Sequence, residues 1–453
     1  MQATKEVTKE ASDYVAAFHE QAESQRGKMP AWVEDLRRRA IEHFEMVGFP
    51  TTDVEDYKYT NVAPIARGNF QPASEAQAKN LIDGQTLERF VYPEAKRSRL
   101  AFVNGIFSSE LSAIENLPDR VVVTELREAL GGEYADLVRG YLARGAETSG
   151  DDAFTSLNTA FLSSGAFLLF RRNVSVEQPI HLLFLSTSSG AEKPIAAFPR
   201  VLVLAETGSE ATVIEEHTAI NDGDVYFSSP VVEIYVDDEA RLTHYKVQRE
   251  SSGAFHVAQT RAEVGRGSRY DSTTVTLGAA LARHNINMQL RAEGSESWID
   301  GLYIVDTGQH ADTHSLINHR AAHCVSHQAY KGILDGKSRG VFNGRIFVHP
   351  GAQQTDAYQS NKNLILSNEA RVDTKPQLEI FADDVKCSHG ATVGQLNEEE
   401  LFYLTSRGLQ PELARNLLTY GFAEAIVQKI KVESIKRQLD EAILNRLHAR
   451  LEA

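Results

Sequence analysis

Two side chains near the carboxyl end of the chain could together bind a soft metal. Cys387, one of only two cysteines in 453 residues, is followed two positions later by His389. In an extended strand, residues i and i+2 point to the same face, so the thiol and the imidazole would lie side by side. A closed metal site normally has three or four ligands. The pair therefore predicts an incomplete site whose remaining ligands come from elsewhere, such as another chain.

A second group of candidate ligands is a run of histidines with one cysteine. Its members are His310, His314, His319, His323, Cys324 and His327. Spacings of four would align several of them on a helix, but the Asp, Thr, Ser and Asn residues between them favour strands and turns. There the side chains would scatter over different faces. Two interpretations stay open: turn hydrogen bonds along a polar ladder, or a metal role centred on His323 or Cys324.

Signatures of nucleophilic and phosphate chemistry are missing from the sequence. No serine lies in a Gly-x-Ser-x-Gly elbow, and no Gly-x-x-x-x-Gly-Lys-Ser/Thr loop is present. We therefore expect the chain itself not to hydrolyse ATP by phosphate-loop chemistry. The adjacent pairs Glu215/Glu216 and Asp237/Asp238 would point to opposite faces of a strand. That placement favours solvated turn charges over an acid/base couple.

Composition narrows the class of protein. A length of 453 residues predicts two or three domains, and 42% hydrophobic with 24% charged residues is ordinary for a soluble globular protein. A formal net charge of −15 disfavours nucleic acid and anionic membranes as partners. The chain has no apolar run of membrane-spanning length, no signal-peptide core and no disulfide framework. These features predict a reduced, cytoplasmic protein.

The elements that position these residues fall into three regions. The first ~150 residues are predicted to be helix-rich. One helix should begin at Pro30 and end at Gly48, since the apolar residues between them recur every three or four positions. A strand is expected at residues 100–103, and a helical stretch at residues 121–145. From about residue 154 to 393, short β-rich runs follow one another without a long helical pattern.

A loose repeat punctuates the β-rich region. It consists of Gly or Glu, then a small residue, then a polar residue and a strand. It occurs at Gly208-Ser209, Glu239-Ala240, Gly267-Ser268, Gly294-Ser295, Gly351-Ala352 and Glu369-Ala370. The small residue advances by 31, 28, 27, 57 and 18 positions. A period in the twenties without helices is typical of a solenoid of strands. Periodicity alone leaves a β-sandwich with regular turns as an equal alternative.

The last ~55 residues are predicted to be helical. Asn397 and Glu400 form a capping-box-like start, Gly408 ends a short helix, and Pro411 begins a second that ends at Gly421. A long helix should then run from Phe422 to about residue 451. Its apolar stripe is Ile426, Val427, Ile430, Ile435, Leu439, Ile443 and Leu447. Three helices of this size cannot bury every apolar side chain, so we expect a docking surface.

Three segments resemble one family, the SufB/SufD proteins of the SUF iron–sulfur cluster assembly machinery. Residues 381–394, FADDVKCSHGATVG, resemble the family signature. Residues 54–60, VEDYKYT, resemble the "EDWKYT" element of the SufD branch, with Tyr57 in place of the usual Trp. Residues 318–332 resemble the family's "DH…HC…S…YKG" stretch. The resemblance extends from about residue 30 to the C-terminus. Because SufB paralogues usually carry more cysteines, the two found here favour the SufD branch.

The resemblance implies a mainly β fold and a role in assembly. It implies a right-handed parallel β-helix at residues 154–393, between a helix-rich N-terminal region, residues 1–153, and a helical domain, residues 394–453. It further implies a non-catalytic subunit that pairs with a SufB-like paralogue through the β-helix. The C-terminal helices would dock a SufC-like ATPase. A transient iron–sulfur cluster would form at the SufB–SufD interface, with His389 as a ligand and Cys387 beside it.

Two alternatives belong to other functional classes. One is a β-helix enzyme that acts on a polysaccharide or an acyl substrate, with the histidines as bases. The other is a purely structural solenoid, in which Cys387→Ser and His389→Ala would be silent. Flavin binding and homodimer formation by the isolated chain are left open by the sequence.

Overall fold

The computed structural model describes residues 9–25, 27–79, 81–144 and 152–448. Strands dominate the part of the chain from residue 98 to residue 394. They are β1 (Gln71–Pro72), β2 (Ser98–Val103), β3 (Ile106–Ile114), β4 (Val121–Glu125), β5 (Gly165–Phe170), β6 (Ile180–Ser186), β7 (Ile195–Ala197), β8 (Arg200–Ala205), β9 (Glu210–Ala219), β10 (Tyr226–Ser228), β11 (Val231–Val236), β12 (Arg241–Arg249), β13 (Phe255–Val264), β14 (Arg269–Thr276), β15 (Leu281–Leu290), β16 (Glu296–Val305), β17 (His310–His319), β18 (Val325–Leu334), β19 (Arg339–Val348), β20 (Thr355–Ile365), β21 (Arg371–Ile380) and β22 (Val385–Gly394).

Helices lie at both ends of the chain. They are α1 (Lys9–Ser24), α2 (Ala31–Val47), α3 (Ala63–Arg67), α4 (Glu75–Ala78), α5 (Gly84–Glu88), α6 (Leu126–Gly131), α7 (Ala135–Tyr141), α8 (Ala153–Ala160), α9 (Glu398–Ser406), α10 (Pro411–Val427) and α11 (Glu433–His448), with 3₁₀ turns at Glu55–Tyr57 and Pro93–Ala95. Among the described residues, none of the helices combines the length and the hydropathy needed to cross a bilayer.

The strands coil into a parallel β-solenoid of about seven turns. From β11 onward, successive strands alternate between two sheets. Sheet A has the order β21-β19-β17-β15-β13-β11-β8-β5-β4, and sheet B has the order β22-β20-β18-β16-β14-β12-β9-β6-β2-β3. The pairs within this coil are parallel, while β3 and β4 close its first end by antiparallel pairing. The predicted parallel solenoid with helical ends is confirmed, and the β-sandwich alternative is wrong. Because β2, β3 and β4 also belong to these sheets, the sheets extend upstream of residue 153, the proposed domain boundary.

One corner of the solenoid explains the sequence repeat. A residue with positive φ lies two positions before β9, β12, β14, β16 and β18 and one position before β20. Its N–H donates to a carbonyl of the next turn, as from Gly208 to Asp238 at 3.0 Å and from His323 to Gln353 at 2.9 Å. The next residue is small and buried. The successive small residues are Ser209, Ala240, Ser268, Ser295, Cys324 and Thr355. Their spacings are 31, 28, 27, 29 and 31, so the apparent gap of 57 contained a turn whose corner is His323-Cys324.

Two members of the predicted repeat do not lie at this corner. The corner after His323-Cys324 is Gln354-Thr355, not Gly351-Ala352. Glu369-Ala370 precedes β21 and therefore lies at the opposite corner, where strands of sheet A begin. The sequence pattern missed His323 and Gln354 because neither is Gly or Glu. The left-handed conformation costs such residues about 1–2 kcal/mol, and the N–H bond to the next turn offsets part of that cost.

The interior of the solenoid has an apolar half and a polar half. Leu242, Ile299 and Phe342 belong to the apolar cluster that fills the half next to the corner described above. The other half contains buried charged and hydroxyl groups, among them Lys246 and Tyr303. A buried polar group is tolerated only when it is hydrogen-bonded, so this half depends on fixed side-chain contacts.

The helices only partly follow the sequence prediction. Helix α2 begins after Pro30 and ends before Gly48, as predicted. Residues 121–144 are instead β4, α6 and α7, because the Val121–Glu125 run pairs with β5; residue 145 is outside the described residues. The predicted helix end at Gly421 is wrong, since α10 continues through it to Val427.

The predicted single helix from Phe422 to residue 451 is also wrong. Ile430 and Val432 pack against the outer face of sheet B, and the hydroxyl of Tyr245 accepts the Lys431 N–H at 3.0 Å. These contacts break the chain into α10 and α11. The predicted stripe from Ile426 to Ile443 is buried there. The Leu447 side chain and residues 449–451 are outside the described residues.

Buried His319 should make stability depend on pH. Burial lowers the pKa of its imidazole to about 4, and its Nε2 lies 2.8 Å from the hydroxyl of Ser326. The unfolded chain takes up the proton near pH 6.5, so stability should fall as the pH drops from about 6.5 towards 4. His319→Gln should remove about 2 kcal/mol of the stability difference between pH 7.5 and pH 5, as measured by urea unfolding.

The matched control for His319→Gln is His323→Asn. His323 is exposed, and asparagine tolerates its left-handed backbone. This variant should keep the parent's dependence on pH. An unchanged pH dependence in His319→Gln would contradict the assignment.

Candidate functional site

The last turn of the solenoid is open to solvent. Its two strands, β21 and β22, form the terminal rung, and each pairs with one neighbour, β19 and β20. No strand covers their outer edges within the described residues. Large apolar side chains are exposed beside them, with Phe381 at 58% and Val393 at 48%. Unpaired strand edges of this kind readily accept another strand.

Cys387 and His389 both lie in β22, on the terminal rung. Alternate residues of a strand share a face, so the two side chains point the same way. Cys387 is in register with Ala357 and packs against the last part of the apolar interior, whereas His389 is in register with Gln359 and is exposed. The thiol therefore points into the end of the solenoid, and the imidazole lies at its mouth.

Burial raises the pKa of the Cys387 thiol, and the carboxylate of Asp356 adds to this effect. The thiol is thus protonated at neutral pH. Binding of a metal would release that proton, since the thiolate is the ligand. Across the described residues, no three His, Cys, Asp or Glu side chains converge to hold a metal ion. A metal at Cys387 and His389 would therefore need ligands from outside the described part of this chain.

A line of buried amides lies behind His389. The Gln328 Nε2 donates to the Ser315 hydroxyl at 2.9 Å, and the Gln359 Nε2 donates to the Gln328 Oε1 at 2.8 Å. The Gln359 Oε1 is buried and has no hydrogen-bond partner among the residues that the structure describes. Gln359 is in register with His389, one strand below it.

The histidine run does not form one site. His310 and His314 are on the outer face of β17, and His319 is on its inner face. His327 lies on the outer face of β18 and stacks on Trp298 with ring centroids 5.2 Å apart. The predicted scatter over different faces is confirmed. Their contacts come mostly from strands rather than turns.

Cys324, the second cysteine, has a structural position at the solenoid corner. It is fully buried, and its Sγ lies 3.2 Å from the Ser295 hydroxyl and 3.3 Å from the carbonyl of Ala292. His323 beside it is exposed and faces Glu293 at 3.8 Å. These contacts favour the interpretation of local hydrogen bonding over that of a metal site.

The prediction that Glu215 and Glu216 are solvated is wrong. They do point to opposite faces of β9, but both are fully buried. Inside the solenoid, Glu215 pairs with Lys246 and accepts from His217 at 2.7 Å. Outside, Glu216 pairs with Arg249 beneath α11. Burial raises the carboxyl pKa values and the paired cations lower them; the net shift is downward for both. Only the three-dimensional contacts reveal these partners.

The segment 54–60, the strap, lies across the outer face of sheet A. The Arg283 guanidinium sits 4.0 Å from the Tyr57 ring centroid and donates to the Asp56 carbonyl at 2.8 Å. Arg283 also pairs with Asp312 at 2.5 Å, and the Thr60 hydroxyl donates to that carboxylate at 2.6 Å. The strap is therefore anchored on a buried ion pair. Sequence reasoning identified the motif but not this role.

Comparison with known proteins agrees with these features. The family model "SUF system FeS cluster assembly, SufBD core domain" matches residues 185–422, and "SufBD protein N-terminal region" matches residues 8–182. An iron–sulfur cluster assembly SufBD family protein of Synechocystis is 36% identical over 90% of this chain and 89% of its own length. SufD of Escherichia coli is 32% identical over 90% and 92% of the two chains, and SufD of Bacillus subtilis is 28% identical over 95% and 96%. The chain belongs to the SufBD family of iron–sulfur cluster assembly proteins.

Proposed function

We propose that this chain is the SufD-like, non-catalytic subunit of a cytoplasmic SUF assembly scaffold. It pairs with a SufB-like paralogue through the terminal rung and binds a SufC-like ATPase through its C-terminal helices. A nascent iron–sulfur cluster forms at the paired ends as cargo. The observation that carries this proposal is the pair Cys387 and His389 at the open end of the solenoid.

The open end supports pairing with a second β-helix. The edges of β21 and β22 present backbone N–H and C=O groups that another pair of strands can satisfy. The adjacent exposed Ile380, Phe381 and Val393 supply apolar area. A structurally similar paralogue would offer matching edges with the same strand spacing. This end therefore fits a solenoid partner better than a globular one.

The chemistry of the pair supports a transient cluster rather than a permanent one. A thiol with a raised pKa and an exposed imidazole are weaker ligands than a set of preformed thiolates. A neutral imidazole would let the cluster leave. The paralogue would supply the remaining ligands. Both cysteines are unpaired, as a reducing cytoplasm would keep them.

The C-terminal helices support the docking of a partner protein. Within α9 no residue is buried, and Phe402 and Tyr403 are 74% and 57% exposed. Leu413 and Leu417 of α10 are also exposed. The free apolar surface thus lies on α9 and the first half of α10, because the stripe from Ile426 to Ile443 packs on sheet B. Exposed apolar clusters of this kind mark interaction sites.

His389→Ala should lower the iron and sulfide bound to the complex by more than half without dissociating it. The reason is the loss of one ligand from a shell that the partner completes. The measurement is co-expression with the SufB-like and SufC-like partners, followed by metal analysis and visible absorbance of the purified complex. His323→Asn, the exposed corner histidine, should match the parent. Parental cluster content in His389→Ala would overturn the site.

Phe402→Asp combined with Leu413→Asp should weaken binding of the ATPase at least about tenfold, which corresponds to ~1.4 kcal/mol. The charges would be buried against an apolar partner surface, whereas both side chains are exposed in the free chain. Isothermal titration of the purified chain with the ATPase measures this. Ile114→Asp, on exposed apolar surface of β3, should bind as the parent does. Unchanged affinity in the double variant would place the docking surface elsewhere.

A further inference from the structure

The strap spans the last four strands of sheet A. It touches β15 at Arg283, β17 at Asp312, β19 at Arg339 and β21 at Lys375. Strands β15, β17, β19 and β21 are consecutive neighbours in sheet A. A short segment near the N-terminus therefore reaches from the body of the solenoid to its terminal rung. Nothing in the assembly role described above requires this contact.

The contacts of the strap with β15 and β17 are firmly fixed. Tyr57 and Thr60 are 4% and 1% exposed, and they cover the buried pair of Arg283 and Asp312. The Thr60 hydroxyl also lies 3.1 Å from the Nε2 of His310. Removing one partner of a buried ion pair is strongly destabilising, so these contacts anchor the strap.

Two other strap residues, Glu55 and Tyr59, contact β19 and β21 near the terminal rung. The Arg339 guanidinium lies 5.5 Å from the Tyr59 ring centroid, and the Lys375 Nζ donates to the Glu55 carboxylate at 2.9 Å. Lys375 is in the middle of β21. Within the described residues, that strand pairs with β19 alone, so its outer side lacks the hydrogen bonds that hold inner strands. Edge strands open locally at low free energy. The strap gives β21 a second attachment.

We propose that the strap is a positioning element that holds the terminal rung in place, and thereby presents Cys387 and His389 to the partner. Glu55 and Lys375 are its positioning residues. Strand β22 follows β21 directly along the chain. We therefore expect that holding β21 in place also restricts the movement of β22. The contact between the strap and the terminal rung is a property of this chain alone. Its effect on cluster content rests on the proposed function.

Charge reversal tests the strap in the isolated chain. Glu55→Lys places two cations together and should speed amide exchange of residues 371–394 about two- to five-fold. Lys375→Glu should do the same. The double variant Glu55→Lys/Lys375→Glu restores an opposite pair and should restore parental exchange. Residues 231–249, in β11 and β12, serve as the internal reference and should not change. The proposed role of the strap is wrong if both single variants exchange at the parental rate. It is also wrong if the amides of the double variant exchange no more slowly than those of the single variants.

The same three variants test the consequence for assembly. Each single variant should keep its partners but carry less iron and sulfide, and the double variant should recover the parental content. If the contact is purely structural, all three variants should carry the parental content of iron and sulfide. Restored exchange without restored cluster content would overturn the link to Cys387 and His389. His389→Ala, measured in parallel, separates the two ideas: if it retains full cluster content, the proposed site fails while the exchange result still decides the strap.

Discussion

The backbone hydrogen bonds between turns of the solenoid are the constraint on which the rest of the molecule depends. Each inner strand pairs with the strands one turn earlier and one turn later in the same sheet, and each corner N–H donates to a carbonyl of the next turn. A coil built in this way must end, and its last turn has no successor. The first end is closed by the antiparallel strands β3 and β4. The other end leaves β21 and β22 with free edges. Those edges carry the Cys387 and His389 pair.

The polar half of the interior is a second consequence of this architecture. Side chains stack in register from turn to turn, so a charged residue on one turn lies directly above a residue that can pair with it. Glu215 and Lys246 are such a pair, with His217 and His244 as further donors to the same carboxylate. Buried pairs of this kind are sensitive to the loss of one partner and contribute little net stability. They fix the register of the coil, because a slip of one residue would separate every pair.

The sequence was sufficient for the architecture but not for the contacts. Short β-rich runs and a repeat of about 28 residues predicted either a solenoid or a sandwich. The resemblance to a family favoured the solenoid. The corner at His323-Cys324 was missed because its left-handed residue is a histidine. Burial of Glu215 and Glu216 could not be predicted, since their partners are about 30 residues away along the chain. The break before α11 follows from packing of Ile430 on sheet B, which outweighs helix propensity. Spacing singled out Cys387 and His389, and the family resemblance implied their role as ligands, but their position at the open end required the strand order.

The stacked corners also give the turns of the solenoid a constant spacing. Strands in a sheet are about 4.8 Å apart, so one added or deleted turn of about 28 residues would move the terminal rung by that distance and leave every remaining corner intact. Helices α10 and α11 pack on the outer face of sheet B, against residues from Tyr245 to Leu364. The number of turns therefore sets the separation between these helices and His389. If two such coils meet at their terminal rungs, their C-terminal helices would lie at equal distances from the shared rung only if the turn counts were matched.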